Sequence, residues 1–99
     1  MRLTEAQRQS IKSAVTSVIG TQNRVWLFGS RVDDTKRGGD IDLLIEAEGL
    51  VLNRVSALCR IEAALVLRLG DRKIDVLLKD SRTADALVFH VARQTGVLL

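Results

Sequence analysis

The chain has 99 residues, which is enough for one domain and too few for two, since domains typically contain about 100–150 residues. Hydrophobic residues make up 46% and charged residues 27% of the chain, a globular composition that excludes an intrinsically disordered protein. Fifteen basic against 12 acidic residues give a net charge of only +3, and aromatic residues make up 3%. We therefore expect a single domain over residues 1–99 and no direct nucleic-acid binding, which usually needs a basic patch and stacking aromatics.

The amino-terminal segment has charged residues every few positions and lacks the apolar stretch of a signal peptide. No uncharged apolar run approaches the ~20 residues of a membrane-spanning helix. Cys59 is the only cysteine, which excludes a disulfide framework and a cysteine-based zinc site. We expect a cytoplasmic protein without a membrane segment, with Cys59 buried and inert in a helix.

The first half of the chain predicts one helix and two strands. Thr4 and Gln7 are spaced as a capping box, and Gly20 is a natural end for the helix that follows. Residues 25–28 form a short apolar run that is typical of a buried strand. A polar segment, predicted as a helical turn and loop, separates this run from a second strand at residues 40–46.

The second half predicts two more helices and two more strands. Apolar residues at helical spacing from Leu50 to Leu69 predict a long helix that Gly70 ends, and residues 73–78 predict a third strand. Residues 97–99 fit a short edge strand. Strands that alternate with helices favour an α/β (α+β) fold, with one small sheet of about four strands covered by helices.

The last predicted helix ends near Gly96 and has Asp80 or Ser81 as a candidate N-cap. Its inner face is expected to consist of the apolar residues Leu87, Val88 and Val91.

Three aspartates interrupt apolar strands, where aspartate is normally depleted. Asp40 and Asp42 are two residues apart and so share one face of their strand, with their Cα atoms about 7 Å apart. Asp75 interrupts the third strand in the same way. The aspartates either lie at solvated strand ends or converge on divalent cations, and three carboxylates on two strands favour an oxygen-ligand site for Mg²⁺.

Gly29, Ser30 and Arg31 follow the first strand directly. Backbone N–H groups at such a turn can bind phosphate, glycine allows close approach, and the serine hydroxyl and arginine guanidinium add donors. A plain turn is the alternative for this short motif.

The segment LFGSRVDDTKRGGDIDLLIE resembles the signature of the DNA polymerase β-like nucleotidyltransferase superfamily, in which Gly-Ser after an apolar strand precedes Asp-x-Asp in the next. Asp75 in KIDVLL matches the superfamily's third carboxylate. With its small size and the ending ALVFHVARQTGVLL, the chain is similar to minimal nucleotidyltransferase (MNT) proteins, many of which are antitoxins of HEPN-domain toxins. The resemblance implies a palm-like nucleotidyltransferase fold with a small mixed sheet.

The resemblance also implies a reaction: transfer of a nucleoside monophosphate, usually AMP from ATP, to a hydroxyl group on a partner toxin. By position, Asp40, Asp42 and Asp75 would be the catalytic metal ligands for two Mg²⁺ ions. Gly29, Ser30 and Arg31 would bind the nucleotide phosphates. Nine residues separate Ser30 from Asp40, where many MNT proteins have ten, and the acidic pair at positions 33 and 34 departs from the family pattern.

Three functional hypotheses follow. The first is a nucleotidyltransferase that modifies a HEPN-type toxin, with the short chain implying that another chain, a partner or a second copy, completes the acceptor site. The second is a binding module of the same fold that neutralises the toxin by contact alone. The third, transfer to a small soluble alcohol, usually requires an added helical domain.

Overall fold

The computed structural model describes residues 3–29, 41–70 and 73–99. Within these ranges the elements are α1 (Glu5–Ile19), β1 (Asn23–Phe28), β2 (Ile41–Ala47), α2 (Arg54–Leu69), β3 (Ile74–Lys79), α3 (Leu87–Thr95) and β4 (Val97–Leu98). None of the helices in the described part of the chain is long and apolar enough to cross a bilayer.

The strands form one mixed sheet in the order β3-β2-β1-β4. β1 pairs antiparallel with β2 and with β4, and β2 pairs parallel with β3. This confirms the prediction of an α/β (α+β) fold with a small mixed sheet of about four strands covered by helices. The short carboxy-terminal edge strand is also confirmed.

The two faces of the sheet are covered by different helices. One face packs against α1 and α2 and contains the larger core, including the fully buried Ile11, Leu43 and Ile61. The other face packs against α3, where Leu44 contacts Phe89 and Ala92. Because successive side chains of a strand point to opposite faces of the sheet, neighbouring residues of β2 are buried in different cores.

Local sequence chemistry sets both ends of α1. The Thr4 side chain accepts a hydrogen bond from the Gln7 backbone N–H, and the Gln7 side chain accepts one from the Thr4 N–H, which confirms the capping box. Gly20 has a φ of 87° at the carboxy terminus, a conformation that favours glycine.

The predicted start of α2 is wrong by about one helical turn. The helix begins at Arg54, because the Asn53 side chain accepts a hydrogen bond from the Ser56 N–H and so caps it. Leu50 and Val51 lie in the preceding loop. The end of the helix at Gly70 is as predicted.

The expected burial of Cys59 is also wrong, since its side chain is exposed. The residues of α2 that face the core are Ala57, Ile61 and Leu65. Cys59 lies two residues from both Ala57 and Ile61, which turns it away from this buried face.

Neither predicted cap of the last helix is correct. α3 begins after Ala86, which makes no side-chain capping bond. Its buried residues are Phe89 and Ala92, whereas the expected inner residue Leu87 is 77% exposed. The aromatic ring of Phe89 packs against Leu44. The side of α3 that carries Phe89 therefore faces the sheet, and the side that carries Leu87 faces solvent.

Asp80 instead fastens the loop before α2 to the end of β3. It is buried, with 2% of its surface exposed, and its carboxylate accepts hydrogen bonds from the backbone N–H groups of Val51 and Arg82 and from the Thr83 hydroxyl. These bonds, the one from Val51 foremost, lower the pKa of Asp80 to about 2 against the opposing effect of burial.

We expect Asp80→Asn to lower the Tm at neutral pH, because an amide cannot accept all three bonds and leaves a buried donor unsatisfied. Since the folded-state pKa is depressed, the carboxylate contributes full stability above its ordinary pKa of 3.8, and this contribution disappears as the pH falls towards about 2. Thermal unfolding of both proteins between pH 7 and pH 2 measures the difference.

Glu62→Gln is the matched control, since Glu62 is an exposed carboxylate on α2. A Tm difference between wild type and Asp80→Asn that stays constant from pH 7 to pH 2 would contradict the role given to the ionised carboxylate.

Candidate functional site

Three strand ends meet at one edge of the sheet. Because β1 is antiparallel to β2 and β2 is parallel to β3, the carboxy-terminal end of β1 lies beside the amino-terminal ends of β2 and β3. The register places Phe28 opposite Asp42 and Asp42 opposite Asp75. Two aspartates that are 33 positions apart in sequence are thus direct neighbours across adjacent strands.

Both aspartates lie on the α3 face of the sheet. The neighbouring residues Ile41 and Leu43 are buried in the core against α1 and α2, as strand alternation predicts. A hydrogen bond of 3.0 Å from the Ile41 N–H to the Lys73 carbonyl joins the starts of β2 and β3. Asp42 is half-buried and Asp75 is exposed, so both carboxylates are next to solvent.

Gly29 brings the end of β1 against the side chain of Asp42. Its φ is 78°, in the region that favours glycine, and a Cβ added at this position would overlap the Asp42 carboxylate. The sequence motif predicts that Gly29 allows close approach of a phosphate. The structure gives the same residue a second reason to be glycine, because any side chain there would displace Asp42.

The described residues account for part of the predicted site. Gly29, Asp42 and Asp75 lie together, whereas Ser30, Arg31 and Asp40 lie outside the described residues. Within residues 3–29, 41–70 and 73–99, no group of three or more His, Cys, Asp or Glu side chains is placed to hold a metal ion. The described part of the chain therefore contributes two carboxylates to the predicted Mg²⁺ site.

The Asp42 and Asp75 pair has the chemistry of a divalent-cation site. Neighbouring strands are about 4.8 Å apart, and like charges directly opposite one another destabilise a sheet. Carboxylate oxygens are the ligands that Mg²⁺ prefers, and a cation between them would replace the repulsion with attraction. The residues present therefore fit the metal that the sequence predicts.

A polar network at the opposite end of the same face was not predicted. Glu46 is half-buried. It accepts a hydrogen bond of 2.7 Å from Trp26 Nε1 and lies 3.6 Å from an Arg93 guanidinium nitrogen. Arg93 also donates to Asp85 at 3.3 Å. The position of Glu46 on the same face as Asp42 and Leu44 was the available sequence signal, but α3 had to be placed before its partner could be identified.

This network holds α3 on the sheet, and it lies at the other end of β2 from the two aspartates. Glu46 lies four residues beyond Asp42 along β2, which is about 13 Å at the rise of a β-strand. Its carboxylate is already engaged by an indole and a guanidinium. We therefore assign Glu46 to positioning α3 and not to the carboxylate pair.

A cleft of about 320 Å³ lies on the other face of the sheet, between the end of α1, the loop at residues 50–53 and the first turns of α2. Its polar side chains are Asn53, Ser56 and Arg60. The loop follows the carboxy-terminal end of β2, so the cleft is remote from Asp42 and Asp75 and is a separate feature.

No protein-family model matches the sequence, and no curated protein matches it. One chain of a solved structure, described as the crystal structure of the toxin-antitoxin with AMP-PNP, is 24% identical in sequence and has a TM-score of 0.66. The match covers 91% of the present chain and 69% of that chain. At this identity the likeness shows that the two chains share a fold.

We expect Asp75→Asn to stabilise the metal-free protein by about 0.2–1 kcal/mol, because it removes one of two like charges on adjacent strands. In wild type, Mg²⁺ at about 100 times its Kd should add about 2.7 kcal/mol to the free energy of unfolding, and Asp75→Asn should lose this response. Thermal unfolding with and without Mg²⁺ measures both effects.

Asp85→Asn, in the network at the other end of the face, should keep the Mg²⁺ response. An unchanged response in Asp75→Asn would contradict the site.

We expect Gly29→Ala to destabilise the protein more than Gly20→Ala. Both glycines have a positive φ, of 78° and 87°, but only Gly29 faces a neighbouring side chain, since nothing lies within 4 Å of the Cβ position at Gly20. Backbone strain of about 1–3 kcal/mol applies to both, and rotation of the Asp42 side chain away from the new methyl group should add about 1 kcal/mol at Gly29 alone.

A double-mutant cycle by chemical denaturation separates these contributions. In an Asp42→Ala background the cost of Gly29→Ala should fall to that of Gly20→Ala, because the overlapping carboxylate is gone. Additive effects of the two substitutions would show that Gly29 does not position Asp42.

Proposed function

We propose that this protein is a nucleotidyltransferase that transfers AMP from ATP to a hydroxyl group on a partner protein, as the antitoxin of a toxin–antitoxin pair. The observation that carries the proposal is the register pairing of Asp42 with Asp75 beside the Gly29 turn. A fold that needed these strands only for packing would gain nothing from two like charges at adjacent positions.

Each residue has a role in the proposed reaction. Asp42 and Asp75, with Asp40, would hold two Mg²⁺ ions, which supply charge neutralisation for the triphosphate and the departing pyrophosphate. Asp75, the more exposed of the described pair, is suited to orient the acceptor hydroxyl and to accept its proton. Gly29, Ser30 and Arg31 would bind the β- and γ-phosphates.

The donor and the type of partner are inferred from chemistry and likeness together. The chain with the same fold comes from a structure described as a toxin-antitoxin with AMP-PNP, which is an ATP analogue. This supports ATP as the donor and a toxin as the partner here. The sequence resemblance to MNT proteins adds the expectation that the toxin is of the HEPN type and offers the acceptor hydroxyl.

The contact-only binding module remains the second candidate, and one observation favours it. Large apolar side chains are exposed on α2 and α3, including Leu67 at 85% and Leu87 at 77%, as in a surface that binds another protein. In that case the aspartates would be dispensable for neutralising the toxin. The two candidates therefore differ in what the aspartates do, and not in whether a partner binds.

The decisive experiment mixes the purified protein with ATP, Mg²⁺ and the product of the adjacent gene. We expect that product to gain the mass of one or more AMP groups, measured by intact-protein mass spectrometry. Asp42→Asn and Asp75→Asn should each reduce the rate by at least about 100-fold, which corresponds to about 2.7 kcal/mol of lost transition-state stabilisation.

Asp85→Asn is the matched control, because it removes an exposed carboxylate on the same face without touching the pair. Its rate should stay close to that of wild type. An unmodified partner whose toxicity is still neutralised by the Asp42→Asn, Asp75→Asn double variant would reject transfer in favour of contact alone.

A further inference from the structure

β3 is the long open edge of the sheet. It lies at one end of the order β3-β2-β1-β4, and within the described residues β2 is its only strand neighbour. The opposite edge, β4, has two residues, whereas β3 has six. An uncovered edge strand presents unpaired N–H and C=O groups to which another strand can add. The length of β3 makes it the edge that can take a further strand.

Ile74 and Val76 direct their backbone groups away from β2. The Lys73 carbonyl accepts a hydrogen bond from β2, whereas the Leu78 carbonyl accepts one from the Arg54 side chain on the free side of the strand. Backbone groups of successive residues point to alternate sides of a strand. Ile74 and Val76 therefore share the outward direction of Leu78, and their N–H and C=O groups lie on the open edge.

The open part of this edge is the end that contains Asp75. Arg54 covers the other end, where Leu78 is only 5% exposed. Ile74 and Val76 are half-buried, although their register partners on β2 are fully buried. A strand added here would cover these two side chains and pair with the backbone on either side of Asp75.

Pairing at this position would bring a foreign side chain close to the Asp75 carboxylate. In an antiparallel ladder, the commoner arrangement, Ile74 and Val76 would form the hydrogen-bonded pairs. Asp75 would then belong to the non-hydrogen-bonded pair between them, in which the Cα atoms are about 4.5 Å apart and the side chains approach most closely. The acceptor hydroxyl of the proposed reaction has to reach this same carboxylate.

A second copy of β3 fits this edge poorly. The strand contains no serine, threonine or tyrosine, so it offers no acceptor hydroxyl. Antiparallel pairing centred on Asp75 would place like charges opposite each other. Pairing centred on Val76 would do the same for Lys73 and Lys79.

The two neighbouring registers of such a self-pairing match charges but lose hydrogen bonds. Pairing centred on Leu77 needs the Leu78 carbonyl, which already accepts from Arg54. Pairing centred on Ile74 leaves Val76 without a strand partner, because the second copy's β3 also begins at Ile74. We therefore assign the edge to a strand of different sequence.

The side chains beside Asp75 on the α3 face specify the rest of the occupant. In an antiparallel pair, the residue two positions after the hydroxyl lies opposite Lys73, and the residue two positions before it lies opposite Leu77. Lys79 already lies 3.9 Å from Asp85, whereas Lys73 is exposed and has no ion pair within the residues that the structure describes. Cross-strand complementarity favours an acidic residue opposite Lys73 and an apolar residue opposite the half-buried Leu77.

We propose that the acceptor segment of the partner protein adds to the edge of β3 as an extended antiparallel strand, with its hydroxyl residue opposite Asp75. An apolar residue two positions before the hydroxyl and an acidic residue two positions after it complete the recognised pattern. The proposal rests on the proposed function for the role of this segment as acceptor. In the transfer, the hydroxyl oxygen bonds to the α-phosphorus of ATP, the bond from that phosphorus to pyrophosphate breaks, and the hydroxyl proton passes to Asp75.

Hydrogen exchange of single amides, measured by NMR on the isotope-labelled protein, reports strand addition directly. The Ile74 and Val76 N–H groups should exchange rapidly in the free protein and slowly once a strand accepts their hydrogen bonds. The Asp75 and Leu77 N–H groups point towards β2, so they serve as internal references. Binding elsewhere on the protein would not protect the outward pair selectively.

The probe is a capped synthetic peptide with the core Leu-Val-Thr-Val-Glu, used without ATP. At about ten times its Kd we expect it to slow exchange at Ile74 and Val76 about tenfold, because only about one site in eleven is then unoccupied. A peptide with N-methyl groups on both valines cannot donate to the Ile74 and Val76 carbonyls and should bind at least about tenfold more weakly. N-methylation of the threonine is the matched control, since this N–H points away from β3 and its loss should not change the affinity.

The charge preference is tested from both sides of the pair. Lysine in place of the peptide's glutamate should weaken binding about two- to fivefold, because it places like charges opposite each other. Lys73→Glu should reverse this preference. Arg60→Glu makes the same change of net charge at an exposed position on α2, away from the edge, and should leave the preference as it is.

Transfer is measured separately, so that the two proposals can fail independently. With ATP and Mg²⁺, the threonine of the unmodified peptide should gain the mass of AMP. Asp75→Asn should keep the protection at Ile74 and Val76 but lose transfer. Protection by the peptide together with no transfer to any acceptor would contradict the proposed function and leave strand addition supported.

Three results would overturn the proposal. Unchanged exchange at Ile74 and Val76 with millimolar peptide would show that the edge does not take this strand. Equal binding of the peptides methylated on valine and on threonine would show that backbone pairing is not involved. Protection that grows with the concentration of the protein alone would assign the edge to a second copy.

Discussion

The parallel pairing of β2 with β3 is the constraint on which the candidate site depends. Its register sets Asp42 opposite Asp75, and a shift of one residue would send one of the two carboxylates to the α1–α2 face, into an apolar core. The buried residues Leu43 and Ile45 oppose such a shift in β2, since it would remove them from the larger core against α1 and α2. One register of β2 against β3 therefore determines both which residues are buried on the α1–α2 face and which carboxylates are neighbours on the α3 face.

The two ends of the α3 face have contrasting electrostatics. At one end, Asp42 and Asp75 place like charges on neighbouring strands. At the other, Glu46 is neutralised by Arg93 and hydrogen-bonded to Trp26. The Glu46 network holds α3 on the sheet, whereas the Asp42–Asp75 pair brings together carboxylate oxygens, which are the ligands that Mg²⁺ prefers.

The helix and strand types were predictable because they depend on local signals. The capping box of Thr4 and Gln7 involves only residues three apart, and the short apolar runs were recognisable as strands. The failures came where distant residues decide. Asp80 has the residue type of a helix cap, but its partner Val51 is 29 positions away, so it fastens a loop instead. The burial of Phe89 in place of Leu87 likewise depends on the shape of the sheet beneath α3.

The sequence by itself determined that the chain forms an α/β domain in which aspartates interrupt apolar strands, because hydrophobic periodicity and residue type are local properties. Only the tertiary structure decided that Asp42 and Asp75 are neighbours, that Gly29 packs against Asp42 and that Cys59 faces solvent. Strand order and register cannot be read from any single segment of the sequence, because they depend on the simultaneous burial of many side chains far apart in the chain. The kind of ligand that a pair of carboxylates can hold follows from the residue type alone, whereas the geometry that brings Asp42 and Asp75 together depends on the whole fold.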